Sequence, residues 1–326
     1  MIQSKLFIVF AAILLIAATS LVAAYYIQLW PLELLVSFAP TATTLLFIGV
    51  AVLGSLVAWR GGFRQHLIAT GLGASALLLG IFSLGYVMFG HPSAEVVASS
   101  SSKQSIRFTT FNREFSNTEI ERAGTYLRTQ NSDVIALQET NPDVTKQISE
   151  QSGFTHYYNA TRLNTVQYTS TALVSKYPIL ESQTYELEAH SSLVKIVINI
   201  PQVGKTAFYS LHLTGPFNAQ FYDERMTDNN SVIDIIAKET LPYAIGGDFN
   251  TTVYSPGLHH FTSGIASSAK PTVSGVFPEC SRFKGLSILC LRIDHIYIPQ
   301  SASITKTTIS PDLGSDHRAL TVQFQF

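Results

Sequence analysis

The stretch Tyr243-Ala-Ile-Gly-Gly-Asp248-Phe249-Asn250 decides how this chain is read. It is an apolar run that ends in two glycines and then offers a carboxylate and an amide with one residue between them. On an extended backbone Asp248 and Asn250 share one face, while Phe249 turns to the other, towards a core. Gly246 and Gly247 let another group approach the backbone closely. Taken alone, the stretch reads equally as an ordinary strand-to-loop turn, for which Asp and Asn are common, and as a strand delivering two polar groups to a site.

Working outward, the same pattern recurs. Lys205-Thr-Ala-Phe-Tyr-Ser-Leu211 is a strand that ends at His212, and Leu193–Ile200 alternates strongly before it, the two joined across Gln202-Val-Gly204 as a hairpin. A long helix from Ala219 to Glu239 leads into Tyr243. Earlier, Ile106–Phe111 alternates as a strand and ends at Asn112, and Asn117–Gln130 follows with helical spacing. Asp133–Gln138 is a buried strand ending at Glu139, Asp143–Gln151 a short helix capped by Asn141-Pro142, and Tyr168–Ser175 a further strand. After Asn250 comes a Ser/Gly/Pro-rich passage with little periodicity, before Ile293–Ile298 and Ala319–Phe326 close the chain as strands. Strand, helix, strand with polar residues at the strand ends is the plan of a layered domain of helices on sheets.

The first hundred residues are of another kind. Residues 1–102 hold only Lys5, Glu33, Arg60, Arg64 and Glu95 as charges, whereas residues 103–326 hold 18 Lys plus Arg against 20 Asp plus Glu. Leu6–Leu32 carries no charge and exceeds the ~20 residues a bilayer-crossing helix needs. Leu34–Trp59 and Leu67–Gly90 repeat the pattern, the latter rich in small residues that suit close helix packing in lipid. A cleaved signal peptide ending near Ala23-Ala24 is the other reading of the first segment. The organisation expected is a membrane domain with three transmembrane helices over residues 1–90, a serine-rich flexible linker over 91–105 and a catalytic domain over 106–326. Arg60 and Arg64 mark their loop as cytoplasmic, which sends everything after Gly90 to the outer side of the membrane.

Cys280 and Cys290, ten positions apart in the soluble part, suit one disulfide in an oxidising compartment; a pair of reduced thiols is the alternative. No second Cys or His pair stands at ligand spacing to make a zinc site. A formal charge of −2 over residues 103–326 gives no general field for gathering long polyanions.

Collected, the polar residues at strand ends are Asn112, Glu139, His212, Asp248, Asn250, Asp294 and the triplet Ser315-Asp316-His317. Singly, each is most often a cap or a solvated loop residue. Together they are a set for phosphoryl transfer around a hard metal, because carboxylate and amide oxygens suit Mg²⁺. Such chemistry needs a carboxylate to orient or deprotonate water, donors for the developing negative charge, and a carboxylate that aligns an imidazole.

The ordered motifs Thr110-Phe-Asn112, Leu137-Gln-Glu139, Ser210-Leu-His212, Gly247-Asp-Phe-Asn250, Ile293-Asp294-His295 and Gly314-Ser-Asp-His317 resemble those of the endonuclease/exonuclease/phosphatase superfamily, the group of pancreatic deoxyribonuclease. The resemblance covers residues 106–326 and implies an α+β fold, a four-layer α/β/β/α sandwich, here preceded by three transmembrane helices. It implies Glu139 as main metal ligand, with Asn112 supporting and Asp316 contributing to the metal cluster. It further implies Asp248 as the group that orients or deprotonates water and Asn250 as holding phosphate and water. His212 and His317 would then be donors or acid/base groups, and Asp294 would align His317. Tyr168 occupies the place of a phosphate-contacting tyrosine, though Ser170 and Thr171 replace the small glycines common around it. Arg113 is a candidate phosphate contact, or else a solvated loop arginine.

The expectation is therefore a Mg²⁺-dependent hydrolase, with Mn²⁺ or Ca²⁺ as other candidate ions. It is a membrane-anchored extracytoplasmic phosphodiesterase with nucleic acid favoured over phospholipid as substrate. The membrane anchor and the apolar loop Phe277–Leu291 speak for a phospholipid or sphingomyelin phosphodiesterase, and a non-catalytic phospholigand-binding protein is the third reading.

Overall fold

A computed structural model of the chain describes residues 2–59, 63–89, 104–160, 170–188, 191–272 and 291–326. They fall into two units, Met1–His91 with Val253–Pro256, and Pro92–Thr252 with Gly257–Phe326.

The first unit is helical: α1 (Ile2–Ala24), α2 (Trp30–Ser37), α3 (Ala39–Trp59) and α4 (Phe63–Phe89). Three stretches, Lys5–Ala24, Ala39–Val57 and Leu67–Gly85, are long and apolar enough to cross a membrane. Small residues let these helices meet. A Cβ on Gly49 would lie 2.6 Å from Leu14, and Ala11, Ala18, Ala69 and Ala76 share one buried cluster. Ser83 Oγ joins Tyr25 (2.9 Å) and Thr43 (3.2 Å) in a polar knot between helices. The short helix α2 occupies the stretch that the sequence divided between the first two spans, because Pro31 in its first turn starts a new helix there.

The second unit is built of two six-stranded sheets. The first runs β11 (Ser303–Ile309), β12 (Leu320–Gln325), β1 (Ser105–Asn112), β2 (Val134–Gln138), β4 (Thr171–Ser175), β3 (His156–Asn159). The second runs β5 (Ile179–Tyr185), β6 (Ser192–Ile200), β7 (Gly204–His212), β8 (Tyr243–Asp248), β10 (Asp294–Pro299), β9 (Ala269–Pro271). Each sheet holds a parallel pair, β1 with β2 and β7 with β8, and a helix crosses over between its strands: α5 (Ile120–Gln130) and α7 (Ala219–Ile236). Parallel partners end together. Asn112 stands opposite Gln138 and His212 opposite Asp248, while β10 begins at Asp294 against Asp248, so the polar strand ends gather on one edge.

Apolar alternation then stacks the layers. Ile106, Phe108, Ala136 and Leu173 of the first sheet meet Val194, Ile196, Phe208, Ala244 and Ile296 of the second, with the Phe108 and Phe208 rings edge to face at 5.2 Å. Ala123 and Leu127 of α5 and Ile148 of α6 (Pro142–Ser152) cover the outer face of the first sheet. On the second, Phe261 of α8 (Pro256–Ile265) packs on Phe249 and Tyr297. The result is the expected four-layer α+β sandwich. The glycine pair is explained by the protein itself: a Cβ on Gly246 would lie 2.8 Å from the Phe108 ring, and one on Gly247 would overlap the Leu211 carbonyl.

The passage after Asn250 departs from expectation, since it contains α8 and β9 rather than irregular chain alone. Edge strands β3, β5 and β11 are likewise unmarked in the sequence. β5 is largely exposed and so lacks an alternating apolar face. Tyr168, Cys280, Cys290, most of the apolar loop and the serine-rich tether before Gln104 lie outside the described residues.

Candidate active site

Asp248 is the hub of the polar edge. It is 2 % exposed, its Oδ1 accepts the Asn250 N–H at 2.8 Å, and its Oδ2 accepts Asn112 Nδ2 at 3.0 Å. The same Oδ2 lies 3.6 Å from Nε2 of His212 and 3.6 Å from Nε2 of His317. Burial pushes the Asp248 carboxyl up from its ordinary value, against the opposing pull of His317 and His212. His317 Nδ1 pairs with Asp294 Oδ2 at 2.7 Å. Burial alone would lower that imidazole, but the carboxylates of Asp294, Asp248 and Asp316 outweigh it and hold it up at about 10. The ring is an imidazolium at neutral pH.

Glu139, at the end of β2, takes a left-handed φ of 53° that lets its side chain reach back. Its Oε1 accepts Asn112 Nδ2 at 3.0 Å and its Oε2 the Phe115 N–H at 2.8 Å. The Asn112 amide thus spans Glu139 and Asp248, while its Oδ1 accepts the Glu114 N–H. Asp316 is anchored by its own N–H to Glu114 Oε2 (3.0 Å), with Oδ1 3.9 Å from His317 Nε2. Ser315 Oγ donates to the Asn112 carbonyl at 2.7 Å and accepts the His317 N–H, tying the closing triplet to β1. Asn250 also sits at positive φ (50°) and donates Nδ2 to the Leu213 carbonyl at 2.7 Å.

Nine of the eleven residues singled out as site candidates therefore share this edge: Asn112, Glu139, His212, Asp248, Asn250, Asp294, Asp316 and His317 around the hub, and Arg113 beneath it. The tenth, Ser315, holds the triplet in place, and the last, Tyr168, is outside the described residues. Arg113 corrects its expectation as a phosphate contact. It is 2 % exposed, and its guanidinium donates to the carbonyls of Glu139 (2.7 Å), Asn117 (3.1 Å) and Phe115 (2.9 Å), so it shapes the loop instead of facing a ligand.

Two residues that are not among the candidates, Arg225 and the motif residue His295, join them. Arg225 of α7, fully buried, donates Nη1 to the Asn250 carbonyl at 2.7 Å. Its signal was its place in the inward stripe Tyr222, Arg225, Asn229, Val232, Ile236. His295 donates Nε2 to the Thr251 carbonyl at 2.8 Å and meets the Phe249 ring edge to face. Burial, then Arg292, push it down to about 3, so it is neutral.

Asp248, Asp294 and His317 have ligand atoms within 4.8 Å of one another, the spacing of a metal cluster. The 2.7 Å pairing of Asp294 with His317, however, makes the group a hydrogen-bonded relay. The donors that suit a hard cation are the Glu139 and Asp316 carboxylates, only partly buried and all oxygen, with Asn112 fixing Glu139 in place. By their chemistry these oxygen donors fit a divalent ion.

Residues 109–317 match the sequence profile of the endonuclease/exonuclease/phosphatase family. The chain belongs to that family. Endonuclease/exonuclease/phosphatase members are hydrolases, nucleases and phosphatases among them, and typically use divalent metals. No match is found among curated proteins. Among solved structures, the endonuclease/exonuclease/phosphatase of Beutenbergia cavernae is 18 % identical with a TM-score of 0.58, over 69 % of this chain and 72 % of that one. TDP2 of D. rerio, complexed with single-strand DNA product, is 16 % identical with a TM-score of 0.57, over 68 % of this chain and 100 % of that one. The mannosyl-6-phosphatase of Bacteroides thetaiotaomicron is 15 % identical with a TM-score of 0.54, again over 68 % and 100 %. At these identities the likeness is one of fold.

Proposed function

We propose that the chain is a divalent-metal-dependent phosphodiesterase, anchored by three membrane-spanning helices, that cleaves nucleic acid outside the cytoplasm. The observation that carries this reading is the Asp248 carboxylate, buried and approached by two imidazoles and an amide, one imidazole backed by Asp294.

Asp248 orients a water molecule and takes its proton, a role that its burial favours by raising its proton affinity. His317, kept cationic by Asp294, donates to a nonbridging oxygen of the phosphate, and His212 stands on the other side of Asp248 to do the same. Asn250, fixed by Leu213 and Arg225, holds the phosphate and the water in line. Glu139 and Asp316 would hold the cation, Mg²⁺ by its preference for such oxygens, with Asn112 keeping Glu139 aligned. A bound divalent cation supplies charge neutralisation at the phosphoryl oxygens.

The same fold holds a single-strand DNA product in one similar structure and is that of a mannosyl-6-phosphatase in another, so the substrate is decided by the site's surroundings. Nucleic acid is favoured here by the likeness to the structure complexed with single-strand DNA product. The Arg60 and Arg64 loop, read as cytoplasmic, sends the domain outward, where protease added to intact cells should reach it. The test is hydrolysis by the full chain in detergent of single-stranded DNA, duplex DNA, RNA, sphingomyelin and a sugar phosphate, each with Mg²⁺ and with EDTA. Metal-dependent cleavage of a nucleic acid is expected; turnover confined to lipid or sugar phosphate, or none, rejects the reading.

A further inference from the structure

Two cations that the catalytic edge does not use face one cavity on the outer side of the first sheet. The cavity, of about 310 Å³, lies between the last turn of α5 and strands β1, β12 and β11, with Arg107, Lys306, Thr308, Thr321, Gln323 and Thr129 in its lining. The strands bring the cations there. Ile106 and Phe108 of β1 and Val322 and Phe324 of β12 face the core between the sheets, so alternation turns Arg107 and Gln323 outward. Lys306 joins them through a bulge. β11 carries one extra residue, Thr305, between Ile304 opposite Phe324 and Lys306 opposite Gln323, and this turns the lysine to the outer face. Lys306, Gln323 and Arg107 thereby form one row across three strands, with Thr308 and Thr321 in the next.

No carboxylate lines this cavity, and among the described residues no acid pairs with the side chain of either cation. Arg107 Nε donates to Gln323 Oε1 at 3.1 Å and Nη1 to the Gln130 carbonyl at 3.3 Å, which leaves Nη2. Lys306 Nζ and the Thr308 hydroxyl have no partner among the described residues. Asp133, on the neighbouring strand end, is already engaged: its Oδ2 accepts the Arg107 N–H at 2.8 Å and its Oδ1 the Tyr177 hydroxyl at 3.0 Å. β1 and β11 are two strand spacings apart, roughly 10 Å, so the two charges repel across the hollow with no acid between them. A lysine on an edge strand commonly guards against pairing with another chain, but that duty needs no second cation turned to the same hollow. An anion seated between them removes the repulsion.

We propose that this cavity is a second phosphate-binding site, which takes a single phosphate group, free or as the ester of a nucleoside. A guanidinium, an ammonium and a hydroxyl offer donors from several directions, the set that suits a tetrahedral oxyanion. The size agrees, because about 310 Å³ is the lower end of the range for small-ligand sites, and the polar lining rules out an apolar occupant. The site is separate from the catalytic edge. Arg107 precedes Asn112 by five residues on β1, roughly 16 Å at ~3.3 Å per residue. Binding there needs neither a metal ion nor turnover, so it does not depend on which ester the catalytic edge cleaves.

Titration calorimetry on the full chain in detergent, with EDTA throughout so that no ester turns over, should use inorganic phosphate and a nucleoside 5′-monophosphate in turn. Saturable binding of at least one is expected, and the pattern names the source: both ligands for a free phosphate, the monophosphate alone for an ester. Lys306→Gln should weaken that binding by about tenfold or more, the loss of one charge-assisted hydrogen bond. Lys306→Arg should restore most of it, and Thr308→Val should weaken it by a smaller factor. Phosphodiester hydrolysis in Mg²⁺ should be unchanged in all three variants. A wild type that binds neither ligand, or binding that Lys306→Gln leaves as it was, overturns the proposal, and so does a Lys306→Gln protein whose hydrolysis falls in step with its binding. Absence of nuclease activity in the wild type rejects the nuclease reading and leaves this site standing.

Discussion

His317 Nδ1 lies 2.7 Å from Asp294 Oδ2, and this pair couples the last loop of the chain to the first residue of β10. The contact does two things at once. It fixes the ring so that Nε2 points at Asp248, 3.6 Å away, and it keeps the ring charged.

Replacing Asp294 by Asn should separate these effects from bulk, because the side chain keeps its size and loses its charge. Burial then acts on His317 with less opposition, so its proton affinity falls from a value near 10. We expect kcat/KM to drop by about 10²- to 10⁴-fold, the usual range for a disabled acid/base group. The alkaline limb of the pH–rate profile should move to lower pH, and an unchanged limb would contradict the pairing.

Arg225 should behave as a positioning residue. Arg225→Met takes the donor from the Asn250 carbonyl, which costs about 1–3 kcal/mol in stability. It should lower kcat by between about 10- and 100-fold as the Asp248–Asn250 turn loses its anchor. Arg225→Lys should recover part of both, read by thermal melting alongside kcat.

The two glycines before Asp248 should differ sharply. A Cβ on Gly247 would overlap the backbone carbonyl of Leu211 within the parallel pair β7/β8, which can yield only by breaking the ladder. Gly247→Ala should lose more than about 4 kcal/mol and fail to accumulate as folded protein. Gly246→Ala meets the Phe108 ring at 2.8 and 3.0 Å, a side chain that can turn aside, and should cost about 1–3 kcal/mol. The yield of folded Gly247→Ala protein, beside denaturant unfolding of Gly246→Ala and wild type, decides the comparison.

Much of this arrangement is legible in the sequence because the strands that bear the chemistry are central. β1, β2, β7 and β8 are buried along nearly their whole length, so their apolar runs are long and the polar residue that ends each one stands out. Edge strands such as β5, and helix α8 in a passage rich in Ser, Gly and Pro, carry no such contrast. Arg113 misleads for a different reason. An arginine beside a strand-end asparagine looks like a phosphate contact, and nothing local says that three carbonyls will surround it. Arg225 is hidden because its partner, the Asn250 carbonyl, is a backbone atom reached only through the tertiary fold.

His295 sets a pH dependence of stability. The unfolded chain binds a proton there near pH 6.5, whereas the buried ring refuses one until about 3. Its contribution is therefore complete above pH 6.5 and is lost as pH falls, by about 1.4 kcal/mol per unit. His295→Gln keeps an N–H for Thr251 and removes the titration. Relative to wild type, the variant should gain about 2 kcal/mol between pH 7 and pH 5 in denaturant unfolding. Parallel pH curves for the two proteins would show that His295 is not held neutral.

The convergence of these side chains on one phosphate ester is tested most directly by the rate of phosphodiester hydrolysis by the full chain before and after Asp248→Asn, in Mg²⁺ and in EDTA. A converged, metal-assisted site predicts a loss of about 10³-fold or more from the substitution, with melting undiminished, and no hydrolysis once the ion is chelated. Hydrolysis that continues at the wild-type rate through either change would contradict it.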